Sequence, residues 1–455
     1  MKAKMSFLLS FLSVWVVSAV QAENLQDVLV YSYENNLTLS AERAGQRATD
    51  ENVSKAKSGY RPTIVAEGTA GRAYNKLDYV NPLMEDGEKY YQNPMSAQVR
   101  FVQPVFSGLS TVNSVKAAKN QVKASRHALL NTEQAVLLDT VAVYMDVIRD
   151  KAVLELQQNQ EKVLHEHLKS YQKRFKAGDL TKTDVAQSEA RASGATASRI
   201  AAQGQLKVSE ANFFSVVGEN PTALEDVKQV AFTLPATMEE ALDLALKNNP
   251  KILAANYAKE SAKYAVKAKK GTLAPSVNLG GAAGRQKENM SIDKDDYWQV
   301  QANLTVPLYQ SGAEYADIRQ AKQTENRYRI LWNKTLQDVH SEVIAAWENY
   351  TASKAQVESI KAQIKASELA LKGVIREAKV GARTVLDVLD AEQEHLDNQV
   401  ALVKTHRDEI VSAYALMAAI GQMNPAGLGL PVEAYDPKDY YESVKNKWLG
   451  YGIGE

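Results

Sequence analysis

Two short stretches of the chain place hydroxyl and acidic side chains at helical spacing. They read KAGDLTKTDVAQSE (176–189) and KVGARTVLDVLDAE (379–392), and both have Lys, Gly, Thr, Asp-Val and Glu at matching places. In the second stretch, Asp387 and Asp390 are three residues apart, which puts both carboxylates on one face of a helix. Carboxylates so placed can cap the helix, lie on a solvated surface or face a pore.

The spacing within each stretch favours the capping role for the first aspartate. Thr181-x-x-Asp184 and Thr384-x-x-Asp387 both fit the capping box, in which a threonine and an acidic residue satisfy each other's backbone N–H groups. Asp390 lies beyond the first turn. For Asp390, a solvated face and a pore face remain open alternatives.

Other residue patterns that could support catalysis or metal binding do not form a site. His165 and His167 flank Glu166, but residues two apart on a helix point in different directions, so a metal site is not expected. The glycine run at 280–284 precedes no phosphate-binding lysine. The chain has no cysteine, which excludes thiol catalysis, disulfides and an N-terminal lipidated cysteine. We therefore expect neither an enzyme nor a cofactor.

The composition suggests an exported protein that does not bind nucleic acid. The 455 residues include 54 basic and 54 acidic side chains, a balance that gives no reason to propose a nucleic-acid partner. Residues 1–22 combine two lysines, an apolar run and a small-residue end, which is typical of a secretory signal peptide. After Glu23, no apolar stretch is long enough for a membrane helix, so any crossing of a membrane must use β-strands.

The sequence is internally duplicated. Residues 25–41 align without a gap on residues 238–254, and further on Gly381 follows Gly178 by 203 residues. The first copy has ten extra residues in a polar, turn-rich stretch, which we interpret as a loop. The predicted organisation is a signal peptide (1–22), a first repeat (23–221), a linker (222–236), a second repeat (237–425) and a C-terminal tail (426–455).

Each repeat contains one very long helix followed by a shorter return helix. Apolar residues recur every seven positions from Val115 to Val143, which indicates a coiled-coil seam. The two turns that join these helices (the tip turns) contain Gly178 and Gly381, which suit helix C-termini. Each return helix is about half as long, and we expect 39–60 and 252–273 to stack end to end with the returns. The predicted long helices are 109–177 and 313–380, and the predicted returns are 182–217 and 384–420.

Each repeat also contains two alternating segments, predicted as strands at about 62–73, 94–105, 275–286 and 297–307. Polar loops at 74–93 and 286–296 would close the two hairpins. Alternation alone is typical of a half-buried sheet in a soluble protein. The length of about ten residues and the export signal favour strands that span a bilayer. The apolar faces carry Ile64 and Ala66; Met95, Ala97, Val99 and Phe101; Val277 and Leu279; and Trp298, Val300, Ala302, Leu304 and Val306.

Four strands cannot close a barrel, and an open sheet edge cannot lie in lipid. The smallest membrane barrels have about eight strands. If the strands span, several chains must therefore combine them, and three chains would provide twelve.

The chain resembles the TolC-like outer-membrane export channels. VPLYQSG (306–312) and VGARTVLDVLDAE (380–392) carry the resemblance most specifically, with QPVFSG (103–108) as a weaker motif, and it covers the whole mature chain. It implies a mainly α protein with β-strands: a homotrimer in which twelve transmembrane strands form one barrel in the outer-membrane lipid. The coiled-coil hairpins would continue the barrel as a periplasmic tunnel, whose tip docks on a periplasmic adaptor (membrane fusion) protein and an inner-membrane ABC transporter or other pump.

The resemblance also implies roles for residues of the tip turns. Thr183, Asp184 and Arg383 match positions that tether the hairpins and keep the tip closed. Asp387 and Asp390 match an acidic ring, in which six carboxylates from three chains would bind cations. Where some relatives have a tyrosine three residues before the second tip glycine, this chain has Ala378.

Three function classes follow from the sequence. The first is a passive export duct, with type I secretion of a large adhesin or toxin preferred over multidrug efflux because the tail 435–452 resembles tails of the secretion branch. The second is a periplasmic coiled-coil adaptor or scaffold, which leaves the strands unexplained. The third is an exported hydrolase, for which the sequence offers no site.

Overall fold

The computed structural model describes residues 24–76, 89–287 and 294–453. The expected signal peptide lies outside the described residues. The same holds for 77–88 and 288–293, in the middle of the two expected loops.

Four helices build two long antiparallel hairpins. Helix α3 (Ser110–Lys176) turns into α4 (Lys182–Val217), and α7 (Ala313–Lys379) turns into α8 (Val385–Ala419). Both long helices have 67 residues. They span about 100 Å at a rise of about 1.5 Å per residue. The repeated valines of the seam, Val115, Val122 and Val136, are buried, as a coiled-coil stripe requires.

Four shorter helices extend the hairpins. They are α1 (Leu25–Asn35), α2 (Leu37–Lys57), α5 (Met238–Asn248) and α6 (Pro250–Gly271). Asn36 caps the start of α2, and its side-chain Nδ2 donates to the Val216 carbonyl at the end of α4 over 2.8 Å. Asn249 caps α6 and donates to the Ala419 carbonyl of α8, also over 2.8 Å. The short helices thus continue the return helices end to end, as the sequence predicted.

The main core lies where the stacked helices cross the middle of α3. Leu129, Leu137, Tyr144 and Met145 of α3 are almost fully buried there. They pack against residues of α1, α4 and α8, including Leu29, Phe213 and Tyr414. Large aromatic and aliphatic groups removed from water in this way supply most of the stability of such a junction.

One four-stranded antiparallel sheet joins the two hairpins of strands. Its strands are β1 (Thr63–Ala70), β4 (Met95–Ser107), β5 (Ser276–Lys287) and β6 (Lys294–Thr305), in the order β1-β4-β5-β6. The first hairpin meets the second through β4 and β5. In the described residues, β1 and β6 are therefore the edges of this sheet.

The predicted loop at 74–93 contains a second, two-stranded sheet. Strands β2 (Ala73–Lys76) and β3 (Lys89–Gln92) pair antiparallel. The rings of Tyr74 and Tyr91 lie 5.3 Å apart across the pair, and Asn75 donates to Gln92. Such cross-strand pairs stabilise a ribbon, but short alternation among turn residues did not reveal it in the sequence.

The register of the sheet aligns the apolar residues of all four strands. Two rows cross it: Ile64, Phe101, Gly281 and Val300, and then Ala66, Val99, Ala283 and Trp298. The adjacent row on the other face is Glu67, Gln98, Gly284 and Tyr297, where Gln98 donates to Glu67 and Tyr297 donates to Gln98. In these rows one face of the sheet is therefore apolar and the other polar, and the apolar face ends at a row that carries the Arg285–Asp296 ion pair. The faces predicted from the sequence agree with this arrangement.

Within the glycine run of β5, Gly281 makes room for an aromatic ring. A Cβ at this position would lie 2.2 Å from the Phe101 ring, which occupies that space. The glycine lets an aromatic ring cover the neighbouring strand.

None of the helices in the described part of the chain has both the length and the apolar character needed to cross a membrane. The C-terminal tail adds one short helix, α9 (Asp439–Val444), which lies against α2.

Candidate functional site

The two tip turns have the same backbone geometry. Gly178 and Gly381 have φ angles of +86° and +78°, which favour glycine. The N–H of the next residue reaches back five positions in each turn: Asp179 donates to the Arg174 carbonyl, and Ala382 donates to the Glu377 carbonyl. This is the Schellman arrangement that ends a helix. It explains why the chain carries a glycine at the same place in both stretches.

Both return helices begin with a complete capping box. Thr181 Oγ1 accepts from the Asp184 N–H over 3.2 Å, while Asp184 Oδ2 accepts from the Thr181 N–H over 2.9 Å. The same two distances recur for Thr384 and Asp387. The capping interpretation of both aspartates is therefore confirmed.

Capping keeps both carboxylates charged. The hydrogen bond from the Thr181 hydroxyl, followed by that from its backbone N–H, lowers the pKa of Asp184. The backbone N–H of Thr384 and then its hydroxyl lower the pKa of Asp387, with the charge of Arg383 adding to the effect. In each cap the hydrogen bonds end on Oδ2. The cap therefore does not use Oδ1, and capping is compatible with a second role.

Arg383 lies close to its own helix end. Its Nε donates to Glu377 Oε2 over 2.9 Å, with both side chains about half exposed. Arg383 and Asp184 line a common groove between the two turns, but they form no ion pair there in the single chain. Thr183 is exposed and does not line this groove.

Asp390 has a partner on the other hairpin. Arg191 of α4 donates to its Oδ1 over 2.6 Å, which joins α4 to α8. The exposed fractions of the two side chains are 40% and 56%, so solvent screens the pair. Sequence reasoning missed Arg191, because nothing local connects residues 199 positions apart.

A second missed contact joins α3 to α8 above the tips. His167 Nε2 lies 2.9 Å from Glu392 Oε1, and Glu392 is buried. The hydrogen bond to Glu392 raises the pKa of His167, and partial desolvation opposes this effect. His165 instead contacts Thr196 of α4, so the two histidines do point in different directions. In the described ranges, no cluster of acidic and histidine side chains could hold a metal ion.

An apolar cluster supports these polar contacts. Leu164 and Tyr171 of α3 pack with Ala192 and Ala195 of α4 and with Val385 and Leu389 of α8. The tips of the two hairpins therefore share one small core. This core fixes Arg191 and Asp390, and His167 and Glu392, within bonding distance.

Both repeats of the chain are similar to known proteins. A family model described as "outer membrane efflux protein" matches residues 29–219 and again residues 241–422. The outer membrane efflux protein BepC of Brucella suis is 37% identical over 434 residues, which cover 95% of this chain and 92% of BepC. The outer membrane protein TolC of Vibrio cholerae is 26% identical over 424 residues, which cover 90% of this chain and 92% of TolC.

A solved structure has the same fold. The CmeC outer membrane channel of Campylobacter jejuni superposes with a TM-score of 0.78, covering 93% of this chain and 89% of CmeC. Sequence identity over that superposition is 17%, so this likeness concerns the architecture of long hairpins and strands.

Proposed function

The chain belongs to the outer membrane efflux protein family, and we propose that it is the passive exit duct of a tripartite export system. Membership confirms the resemblance to TolC-like channels and assigns the protein to the outer membrane. It also supports the expectation that the chain is a conduit rather than an enzyme.

The four-stranded sheet is the observation that carries the proposal. Its apolar face is exposed along all four strands, including Ile64, Val99, Val300 and Leu304. Exposed apolar faces of this size need a partner, and lipid is the partner that fits strands of this length. We propose that this face contacts outer-membrane lipid.

The edges of the sheet require more than one chain. Unpaired N–H and C=O groups of β1 and β6 cannot remain in the hydrocarbon region. The strand order makes β6 antiparallel to the β1 of a following chain, because alternate strands run in opposite directions. We propose a homotrimer, as the resemblance to TolC-like channels implies: three chains would close a twelve-stranded barrel, and the helical hairpins would build a periplasmic tunnel.

The tips form the gate in this proposal. Arg383, Thr183 and Asp184 tether neighbouring hairpins, while Asp387 and Asp390 of three chains form an acidic ring at the mouth. The tip is where an adaptor and an inner-membrane pump would dock. Their action would break the tethers and open the tunnel.

The cargo has two candidates. The name of the 37% identical relative, an efflux protein that aligns over 95% of this chain, favours small molecules. The sequence of the tail 435–452 favours type I secretion of a large protein, on its resemblance to tails of that branch. We propose small-molecule efflux as the preferred hypothesis, because the similarity to BepC covers both repeats.

Substitutions at two neighbouring residues test whether the sheet spans the membrane. Val300 belongs to the apolar face and Gln301 to the polar face in the middle of β6. Val300→Lys should cost about 2–4 kcal/mol in the bilayer and reduce the heat-modifiable trimer in outer-membrane fractions, whereas Gln301→Lys should leave it intact. Equal trimer yields for both variants, or a wild-type mass of one or two chains in detergent, would contradict the proposal.

A further inference from the structure

The C-terminal tail follows α2 toward the sheet. From α9 onward, the chain runs beside α2. Three hydrogen bonds mark the path: Tyr440 Oη to Glu51 (3.0 Å), Ser54 Oγ to the Lys447 carbonyl (3.2 Å), and Lys57 Nζ to Asn446 Oδ1 (2.7 Å). The tail therefore ends its path along α2 at the end of that helix.

Arg61 fixes the height that the tail reaches. It lies two residues before β1 begins, donates to the Lys447 carbonyl over 2.8 Å, and places its guanidinium 5.0 Å from the centre of the Trp448 ring. Trp448 thus lies at the level where the helical part meets the sheet. In the proposed function, this level is the periplasmic surface of the membrane.

The segment 448–453 presents apolar side chains to solvent. A turn at Gly450, with a φ of +102°, lets Lys447 Nζ donate to the Gly452 carbonyl over 2.8 Å. The turn holds four large side chains outward, with exposed fractions of 65% for Trp448, 89% for Leu449, 103% for Tyr451 and 83% for Ile453. Such a cluster on a soluble surface is unfavourable unless something covers it.

Positive charge surrounds the base of this segment. Three basic side chains lie near Lys57: Lys119, Lys445 and Arg61. Partial burial, and then the charges of these neighbours, lower the pKa of Lys57. Glu442 pairs with Lys445 and offsets part of the charge. Basic residues beside exposed aromatic and aliphatic groups are the combination that binds the headgroup region of an anionic membrane.

We propose that residues 446–453 are an interfacial anchor, whose Trp448, Leu449, Tyr451 and Ile453 enter the headgroup region of the inner leaflet of the outer membrane. Tryptophan and tyrosine favour this region, because the ring is apolar while its N–H or O–H stays hydrated. Phospholipid is preferred to a second chain for two reasons. The segment lies at the level where the lipid-facing sheet begins, and basic residues surround the place where it joins α2. The inference rests on the proposed membrane-spanning sheet.

The anchor would link the lipid surface to the helical tunnel. Its contacts with Ser54, Lys57 and Arg61 act on the last turn of α2 and the start of β1. The junction between tunnel and barrel would thereby be held at a fixed depth in the membrane.

Spin labelling of the full chain tests this inference. Because the sequence has no cysteine, Leu449→Cys introduces a single labelling site at an exposed position. The labelled protein is reconstituted in vesicles of phosphatidylethanolamine and phosphatidylglycerol. The measurement is the accessibility of the nitroxide to oxygen, which concentrates in lipid, and to a nickel chelate, which stays in water.

Two exposed leucines provide the references. Leu304→Cys on β6 reports the proposed lipid face, and Leu369→Cys on α7 reports water. We expect the oxygen-to-nickel ratio at 449 to lie between these two values. A ratio at 449 equal to that at 369, with a lipid-like 304, overturns the anchor but not the spanning sheet.

Two other outcomes also overturn the anchor. Protection of the label at 449 from both reagents would mean that a second copy of the chain covers the segment. A water-like ratio at 304 would instead refute the spanning sheet itself, and the anchor with it.

Discussion

At the residue scale, the aspartate that caps each return helix can also take part in the proposed gate. The cap hydrogen bonds of Asp387 end on Oδ2, and the side chain is partly exposed. Asp390 has only a solvent-screened partner in Arg191. The proposed acidic ring would therefore require no loss of the helix caps, and substitutions can separate the two roles.

Arg383 and Glu377 allow a direct test of the proposed tether. If Arg383 holds Asp184 of a neighbouring hairpin, Arg383→Ser should raise single-channel conductance in planar bilayers. Glu377→Gln should not raise it, because this change removes only the pair inside the turn and leaves Arg383 free for the tether. An equal rise in both variants would assign closure to the pair within the turn. Unchanged conductance in both would leave these residues as parts of the turn.

Asp387 and Asp390 should make the tunnel mouth sensitive to cations. Divalent cations added on the tip side should block current, because the proposed ring would place six carboxylates around one opening. Replacing both residues with Asn should abolish the block while the trimer stays folded. Block that survives in this double variant would place the cation site elsewhere.

Arg191 gives a gain-of-function control for the same ring. Arg191→Gln should strengthen the block, since it removes the positive charge 2.6 Å from Asp390. Arg199→Gln breaks a similar pair with Glu161, eight residues further along α4, and should leave the block unchanged. The same block in both arginine variants would contradict a role for Asp390.

At the element scale, two asparagines join the stacked helices. Asn249 is buried, caps α6 and donates to the end of α8. Asn36 caps α2 and donates to the end of α4, but it is only partly buried. The joints replace a continuous helix by two pieces, so the side chain of one residue must satisfy backbone groups of both.

Asn249→Ala should destabilise the joint by about 1–3 kcal/mol, because it leaves buried backbone groups unsatisfied. Asn36→Ala should cost about 1 kcal/mol, the usual effect of losing a cap. Native-state hydrogen exchange measures the local free energy of opening, at the ends of α6 and α8 for Asn249→Ala and at the ends of α2 and α4 for Asn36→Ala. Asn120→Ala removes only an exposed bond to the Lys116 carbonyl within α3 and should change stability by less than about 0.5 kcal/mol. Equal destabilisation by all three substitutions would contradict the role of Asn249 and Asn36 in joining the helices.

At the scale of the whole molecule, the cargo decides which phenotype follows from loss of the duct. Deletion of the gene should sensitise cells to dyes, detergents and bile salts and leave secreted proteins unchanged if small molecules are the cargo. Loss of one large protein from the medium or cell surface, with drug tolerance intact, would contradict this prediction and support type I secretion. Complementation with Gln301→Lys should restore export and Val300→Lys should not, which links the phenotype to the barrel.

The sequence by itself determined the features that depend on near neighbours. Helix ends at Gly178 and Gly381, the caps at Thr181 and Thr384, the long seam and the two faces of each strand all follow from interactions within a few residues. For these features the predicted and observed bounds differ by a few residues at most. The small ribbon of β2 and β3 was missed, since its alternation covers only four residues in each strand.

Only the tertiary structure decided which distant faces meet. The pairs Arg191 with Asp390 and His167 with Glu392, the pairing of β4 with β5, and the path of the tail along α2 join residues between about 170 and 400 positions apart. No local pattern encodes such pairs, because each depends on how long helices and strands pack before their side chains come within bonding distance. The caps and turns were therefore readable from the sequence, whereas the contacts that connect the two tips required the fold.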